Sequence, residues 1–270
     1  MPEMKQLGKY RIEAILGKGA FSDVYKATDV TLNRTVALKV LKSTLLDDEE
    51  AFSRFIQEAQ VVAGLNHPHI ATVLDLGEVN GCYFLALEYI NGYSLDKVLA
   101  QHGPLNWRQA VRITSDVADA LSFAHNIGLV HRDVKPQNII ISQHEGAVLT
   151  DFGLVKAMEA IGIGSRTGIM LGTPQYIPPE VWHGMTATPA SDQYALACVL
   201  VEMLTGKALF DAPTPWAIME KHSEPPDLPA SLAAMPSTLM SILRALSVSP
   251  DERFETVADF SRELSLHEAD

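Results

Sequence analysis

Two linked motifs near the middle of the chain constrain the fold most. The first reads His-Arg-Asp-Val-Lys-Pro-Gln-Asn over residues 131–138, and the second reads Asp-Phe-Gly over residues 151–153. Between them, an apolar run at 139–141, a polar turn with a glycine and a second short run at 148–150 predict two strands joined as a hairpin. Because a hairpin brings its ends together, we expect Asp133, Asn138 and Asp151 to converge on one point.

Carboxylate and amide oxygens gathered in this way suit a site for a magnesium-bound nucleotide. Mg²⁺ prefers oxygen ligands and usually takes one or two carboxylates together with phosphate oxygens. Asn138 and Asp151 are therefore candidate metal ligands, with Asp133 as a third acid nearby. The alternative is a loop with chance acids and a buried phenylalanine, and the ordered motifs elsewhere in the chain argue against it.

A glycine-rich turn near the N-terminus lies between two strand-like stretches. Residues 10–16 and 23–27 alternate in polarity, and Gly17 and Gly19 lie between them. Such a turn lets the backbone approach phosphates with its N–H groups. A dinucleotide-binding turn would be followed by a helix, so that class is excluded. Further on, Val-Ala-Leu-Lys at 36–39 places Lys39 in an apolar strand, where a lysine without this context is more often structural.

Charge and composition exclude other classes of protein. The net charge of −12 argues against non-specific binding to nucleic acid or anionic membranes, which requires basic patches. The chain has two cysteines without metal-site spacing, which favours a reducing, cytoplasmic location. No run reaches ~18 uninterrupted apolar residues, so we expect no membrane segment in this chain.

Together these motifs resemble the bacterial branch of the eukaryotic-like (Hanks-type) serine/threonine protein kinases, from about Tyr10 to about Leu264. Gly-Thr-Pro-Gln-Tyr at 172–176 and Pro-Pro-Glu at 178–180, the peptide-docking segment of that family, add to the resemblance. It implies an α+β fold with two lobes: a small, mainly antiparallel β N-lobe with one key helix, and a larger, mainly α-helical C-lobe. The implied limits are 10–87 for the N-lobe, 88–92 for the hinge and 93–265 for the C-lobe, with an activation segment at 151–180.

The resemblance also implies an activity. The γ-phosphoryl group of ATP, bound with Mg²⁺ or with Mn²⁺ in its place, would pass to serine or threonine hydroxyls of protein substrates. Asp133 would act as catalytic base or hydroxyl orienter, and Lys135 would stabilise charge on the transferring group. Lys39 would reach the phosphates and pair with Glu58, on a helix predicted over 51–62. Thr173 would bridge Asp133 and Lys135.

The nucleotide would lie between the lobes, with backbone groups near Glu88 and Ile90 bound to adenine and apolar side chains on both faces of its ring. The residues implied for this pocket are Leu16, Gly17, Gly19, Val24, Ala37, Lys39, Leu87, Glu88, Ile90 and Ile140.

Residues 157–169 contain three glycines and no periodicity, which predicts a mobile activation loop. By the resemblance, Ser165 and Thr167 are sites of autophosphorylation. The cations that would receive a phosphate are Arg54, Arg132 and Lys156. Our hypothesis is that the phosphate orders this loop and secures the pair of Lys39 with Glu58.

The resemblance also implies two contacts that spacing cannot give. Glu180 would pair with Arg253, and Asp192 would anchor the backbone of the 131–138 loop. For Asp192 the alternative is a helix N-cap, and both roles remain open.

Other functions and partners were weighed against this expectation. A pseudokinase serving as a nucleotide-responsive scaffold would have lost Lys39, Glu58, Asp133, Asn138 or Asp151, and all five are present. A small-molecule phosphotransferase should lack the peptide-docking segment. Autophosphorylation between molecules would favour a transient homodimer, and relatives of this kind carry a membrane tether outside the catalytic domain.

Overall fold

The computed structural model describes residues 5–19, 22–42, 56–57, 59–152, 173–228, 232 and 236–266. The first part is an antiparallel sheet of six strands in the order β1-β2-β3-β4-β6-β5. Its strands are β1 (Gln6–Leu7), β2 (Tyr10–Lys18), β3 (Ser22–Asp29), β4 (Arg34–Leu41), β5 (Val73–Val79) and β6 (Cys82–Glu88). Asn80 and Gly81, a pair typical of two-residue hairpin turns, join β5 to β6, and both have positive φ.

Strand β4 shows how the two-residue period divides this sheet. Val36, Leu38 and Val40 pack into a buried cluster on one face. Because successive side chains of a strand alternate between faces, Ala37 and Lys39 point to the opposite side. In the pairing with β6, Ala37 lies opposite Leu87. The period therefore places the alanine, the lysine and Leu87 on the face away from that cluster.

The second part is mainly helical and carries a small sheet. The helices are α1 (Leu95–His102), α2 (Trp107–Asn126), α3 (Pro179–Trp182), α4 (Pro189–Thr205), α5 (Pro215–His222), α6 (Pro236–Ala245) and α7 (Val257–Leu266). The small antiparallel sheet has the order β7-β8-β9, with β7 (Gly92–Ser94), β8 (Ile139–Ser142) and β9 (Gly146–Leu149). The α+β fold, with an antiparallel sheet followed by a helical half, is confirmed.

Helices α2 and α4 form the centre of the helical half. Helix α2 begins as predicted at Asn106, whose side chain accepts from the backbone N–H of Gln109 at 3.0 Å. Helix α4 is buried along most of its length, since its sequence is apolar on every side. Its N-cap is Thr188, so the N-cap alternative for Asp192 is wrong: this residue lies one turn inside the helix.

A short turn joins the two halves. The N–H of Leu149, at the end of β9, donates to the carbonyl of His69 at 2.9 Å, and Ala71 donates back to Leu149 at 3.0 Å. His67 contacts Asp119 of α2 at 3.2 Å. This turn therefore fastens the large sheet to the strand that leads into Asp151. In the described part of the chain, no helix is long and apolar enough to cross a membrane.

The Glu180–Arg253 pair is confirmed. Both terminal nitrogens of Arg253 donate to the Glu180 carboxylate, at 2.8 and 2.9 Å, and the two side chains are 0% and 4% exposed. The Ser191 hydroxyl also donates to Glu180, at 2.7 Å. Burial alone would raise the pKa of Glu180, but the bonds and charge of Arg253 outweigh it and hold that pKa below its ordinary value.

We expect Glu180→Ala to lower the free energy of unfolding by about 3–5 kcal/mol, because it leaves the Arg253 guanidinium buried without its partner. Urea unfolding followed by circular dichroism measures this loss. The double variant Glu180→Leu, Arg253→Met should recover much of it, since apolar residues of similar volume can replace a buried pair.

The control is Arg262→Ala, which removes an exposed pair with Asp259 and should leave the unfolding midpoint near that of the unsubstituted protein. If Glu180→Ala unfolds at the same urea concentration as this control, the buried pair does not stabilise the fold.

Candidate active site

A buried carboxylate of α4 holds the 131–138 loop from below. Asp192 accepts from the backbone N–H of His131 and of Arg132, each at 2.8 Å, and lies 2.8 Å from the ring of His125. The Asp192 residue is 1% exposed. The anchoring contact predicted for Asp192 is therefore confirmed.

His131 is a buried core residue, as expected. Its Nε2 lies 2.8 Å from the carbonyl of Thr150, and its ring meets Phe152 edge-on with centroids 4.5 Å apart. Since a carbonyl only accepts, Nε2 carries the proton and Nδ1 accepts from the N–H of Asp133 at 3.2 Å. This ring ties the loop to the end of β9 and leaves no nitrogen free for catalysis.

Two residues of the site have left-handed backbone. Arg132 has φ of 71° and Asp151 has φ of 65°. Residues with a Cβ adopt this conformation at a cost, and it persists where the surrounding contacts demand it, often at functional sites. Hydrogen bonds hold both residues. The backbone N–H of Arg132 donates to Asp192, and the carboxylate of Asp151 accepts from Lys39.

The loop gathers three of the predicted residues around one carboxylate. Lys135 Nζ lies 2.6 Å from Asp133 Oδ2, and Asn138 Nδ2 donates to the same oxygen at 3.0 Å. Asn138 also donates to the backbone carbonyl of Asp133, at 2.8 Å. Both side-chain contacts fall on Oδ2, so Oδ1 is the oxygen of Asp133 left for another partner.

The second acid is paired with the lysine of β4. Lys39 Nζ lies 2.7 Å from Asp151 Oδ1, across 112 residues of sequence. Burial alone would raise the pKa of Asp151, but the charge and hydrogen bond of Lys39, with a contribution from Lys135, hold it below its ordinary value. Asp151 is therefore a carboxylate at neutral pH.

A cleft of about 250 Å³ opens between the large sheet and the helical half. Eight of the ten residues predicted for the nucleotide line it: Leu16, Gly17, Val24, Ala37, Leu87, Glu88, Ile90 and Ile140. Gly19 and Lys39 do not. The N–H of Gly19 instead closes its turn on the carbonyl of Ser22 at 2.8 Å. The roles of all ten as nucleotide contacts stay predictions.

The cleft is also lined by residues that the sequence motifs did not identify. They include Ala71, Tyr93, Lys97 and Thr150. Only Thr150 had a sequence signal, because it immediately precedes Asp151. The tertiary fold brings the others to the cleft. Tyr93, for example, lies in β7, which begins at Gly92 and pairs with β8. A Cβ at Gly92 would stand 2.2 Å from the carbonyl oxygen of Ile141, so this close approach requires glycine.

Thr173 makes no hydrogen bond with Asp133 or Lys135 among the described residues, where the lysine pairs directly with the aspartate. The bridging role of Thr173 stays a prediction. Arg132 lies beside Asp133 in the loop, and its phosphate-binding role stays a prediction. The other predicted residues, Glu58, Arg54, Lys156, Ser165 and Thr167, lie outside the described residues.

The side chains present fit a magnesium-bound nucleotide. Asn138 uses its Nδ2 for Asp133, and Asp151 uses Oδ1 for Lys39, which leaves Asn138 Oδ1 and Asp151 Oδ2 without a hydrogen bond to any described residue. Both are hard oxygen donors of the kind Mg²⁺ takes. Within the described ranges, no three His, Cys, Asp or Glu side chains cluster so as to hold a metal.

Comparison with known proteins agrees with this geometry. A family model described as protein kinase domain matches residues 10–255. The chain is 38% identical over 264 residues to the serine/threonine-protein kinase PknB of Mycolicibacterium smegmatis, covering 95% of this chain and 42% of that protein. It is 36% identical over 260 residues to PrkC of Bacillus subtilis, also a serine/threonine-protein kinase, covering 95% of this chain and 40% of that protein.

Solved structures are similar as well. The crystal structure of the Mycobacterium tuberculosis PknI kinase domain matches with a TM-score of 0.78 and 28% identity, covering 97% of each chain. The chain spans less than half the length of the curated relatives it matches, between 40% and 42% of the two named above. None of these findings supports the alternative of an inert scaffold. The chain belongs to the protein kinase family, among relatives that are bacterial serine/threonine-protein kinases.

Proposed function

We propose that this chain is a catalytic domain that transfers the γ-phosphoryl group of ATP to serine and threonine hydroxyls of proteins. The observation that carries the proposal is the arrangement around Asp133 and Asp151, of which Asp151 lines the cleft. There Lys135 and Asn138 hold one oxygen of Asp133, beside the pair of Lys39 with Asp151. Phosphoryl transfer needs this kind of positioning and charge neutralisation rather than covalent chemistry.

The apolar walls of the cleft suit the adenine ring. Val24 and Ala37 come from the large sheet and Ile140 from β8, so a flat ring would lie between two apolar layers. The N–H of Glu88 already donates to the carbonyl of Thr72 at 2.8 Å. The N–H of Glu88 is therefore already occupied. Because the adenine amino group donates, we expect it to donate to the carbonyl of Glu88.

Asp133 is the residue we propose for the substrate hydroxyl. Its Oδ2 is occupied by Lys135 and Asn138, so Oδ1 would accept the hydroxyl proton or orient the hydroxyl for attack. The same ammonium group of Lys135 can also stabilise charge on the phosphoryl group as it moves. One lysine thus fixes the acid and supports the transfer.

Lys39, Asn138 and Asp151 would receive the nucleotide and its metal. Mg²⁺, when bound, would neutralise the phosphate oxygens and orient them. Asn138 and Asp151 would hold it, and Lys39 would leave Asp151 for the α- and β-phosphates. Mn²⁺ has the same preference for oxygen ligands and is proposed as a substitute.

Regulation and setting are part of the same proposal. We propose an N-lobe at 10–87, a hinge at 88–92, a C-lobe at 93–265 and an activation segment at 151–180.

Phosphorylation of Thr167 and Ser165 would order that segment through Arg54, Arg132 and Lys156, and so secure Lys39 with Glu58. Transfer between two copies would require a transient homodimer. The proposed location is cytoplasmic, with any membrane tether outside this chain.

The role of Asp133 in transfer can be tested by substitution. We expect Asp133→Asn to lower transfer of labelled phosphate from Mg-ATP by roughly 10²–10⁴-fold, because the amide cannot accept the hydroxyl proton. ATP affinity, measured by calorimetry, should stay near that of the unsubstituted protein. The control is Asp119→Asn, an exposed acid of α2 away from the cleft, which should retain full transfer.

No incorporation of phosphate by the unsubstituted protein, despite measurable ATP binding, would contradict the proposed function. Full transfer by Asp133→Asn would contradict the role of this residue alone.

Phosphorylation of the activation loop can be tested directly. Mass spectrometry after incubation with Mg-ATP should find phosphate on Thr167, and also on Ser165. The double variant Ser165→Ala, Thr167→Ala should transfer phosphate to other substrates more slowly, because the loop lacks the anion that Arg54, Arg132 and Lys156 would bind. An unchanged rate for the double variant would show that this loop does not control activity.

A further inference from the structure

A buried histidine at the end of α5 has no part in the proposed chemistry. His222 is 0% exposed, and its ring packs on Phe210 with centroids 4.0 Å apart. A polar ring so deeply buried is costly unless its nitrogens find partners.

Both nitrogens of His222 have partners. Nδ1 lies 2.9 Å from the hydroxyl of Tyr194, and Nε2 lies 3.1 Å from the carbonyl of Pro174. Since the carbonyl only accepts, Nε2 carries the proton and Nδ1 accepts from the tyrosine hydroxyl. Burial lowers the pKa of His222 to about 4, so the ring is neutral at physiological pH and this pattern is kept.

The carbonyl bound by His222 belongs to the segment after Thr173. Pro174 begins a short turn over Pro174–Tyr176. Its carbonyl also accepts from the N–H of Ile177, at a longer 3.4 Å. Tyr176 at the other end of the turn donates its hydroxyl to Glu202 of α4. The turn is thus held at both ends, by α5 through His222 and by α4 through Glu202.

Tyr194 links this contact to the buried pair of Glu180 with Arg253. It is 1% exposed, and the guanidinium of Arg253 lies 4.7 Å above its ring. Arg253 is the partner of Glu180, which follows the turn in sequence. The hydroxyl that fixes the histidine is therefore itself fixed by the buried ion pair.

We propose that His222 is a positioning residue for the protein substrate, holding the Pro174 carbonyl so that the backbone between Thr173 and α3 presents a fixed surface to the substrate peptide. This rests on the proposed function and on the expectation, from the family resemblance, that this segment docks the peptide. His222 is not among the residues that line the cleft. Its loss should therefore affect the peptide and not the nucleotide.

The test compares His222→Phe, which keeps an aromatic ring but removes the donor, with His222→Gln, which keeps an N–H near the position of Nε2. The probe is a synthetic peptide of residues 159–171, which contains Ser165 and Thr167. Phe260→Leu serves as the control, because it alters an equally buried aromatic residue of the same half, on α7. Each variant is assayed for the KM of peptide and of ATP, and for hydrogen exchange of the amides at 175–177.

We expect His222→Phe to raise the KM for peptide roughly tenfold, the effect of one buried hydrogen bond, and to leave the KM for ATP within about twofold. Amides at 175–177 should exchange faster. His222→Gln should recover most of both effects, and Phe260→Leu should show neither.

The proposal is overturned if exchange at 175–177 is unchanged in His222→Phe, or if His222→Phe raises the KM for ATP together with the KM for peptide. It is also overturned if Phe260→Leu raises the KM for peptide as much as His222→Phe does. Faster exchange without a change in the KM for peptide also overturns it. If the unsubstituted protein transfers no phosphate while His222→Phe still exchanges faster, the proposed function fails and the contact is structural alone, which removes the substrate role as well.

Discussion

The carboxylate of Asp192 is the contact on which the geometry of the site depends. It accepts from two backbone N–H groups of the 131–138 loop, at 2.8 Å each, from within α4, which is buried along most of its length. Two hydrogen bonds to one buried charge are stronger than neutral ones and allow little movement. They hold the backbone of Arg132 in the left-handed conformation and so fix the position of the next residue, Asp133. The catalytic loop is thus set by the core of the helical half and not by the large sheet.

Charge balance in the cleft explains why a cation is needed with the nucleotide. Asp133 and Asp151 are each paired with one lysine, Lys135 at 2.6 Å and Lys39 at 2.7 Å. The two acids and two lysines already neutralise each other. The phosphates of a nucleotide would add negative charge that these lysines could meet only by leaving the acids. A divalent cation held by Asn138 and Asp151 would supply the positive charge that the phosphates require.

Much of this site follows from local sequence, and the rest depends on distant contacts. The hairpin of β8 and β9 was predicted because its period and turn are local, and it brings Asp133 and Asp151 to the same end of the cleft. The bond of Asp192 to a loop 60 residues earlier has no local signal and came only from family resemblance. Lys97 lines the cleft, and His222 reaches a carbonyl 48 residues away, without any motif at all. The tertiary fold brings residues of this kind into place, and their spacing in the sequence does not indicate it.

The most direct test is a crystal structure with Mg²⁺ and an ATP analogue that cannot be hydrolysed. The account predicts a cation about 2.0–2.1 Å from Asn138 Oδ1 and from the Asp151 carboxylate. It also predicts Lys39 Nζ on phosphate oxygens and the free Oδ1 of Asp133 facing the γ-phosphate. An analogue bound in the cleft with the pair of Lys39 and Asp151 intact, and no metal on Asn138, would contradict it.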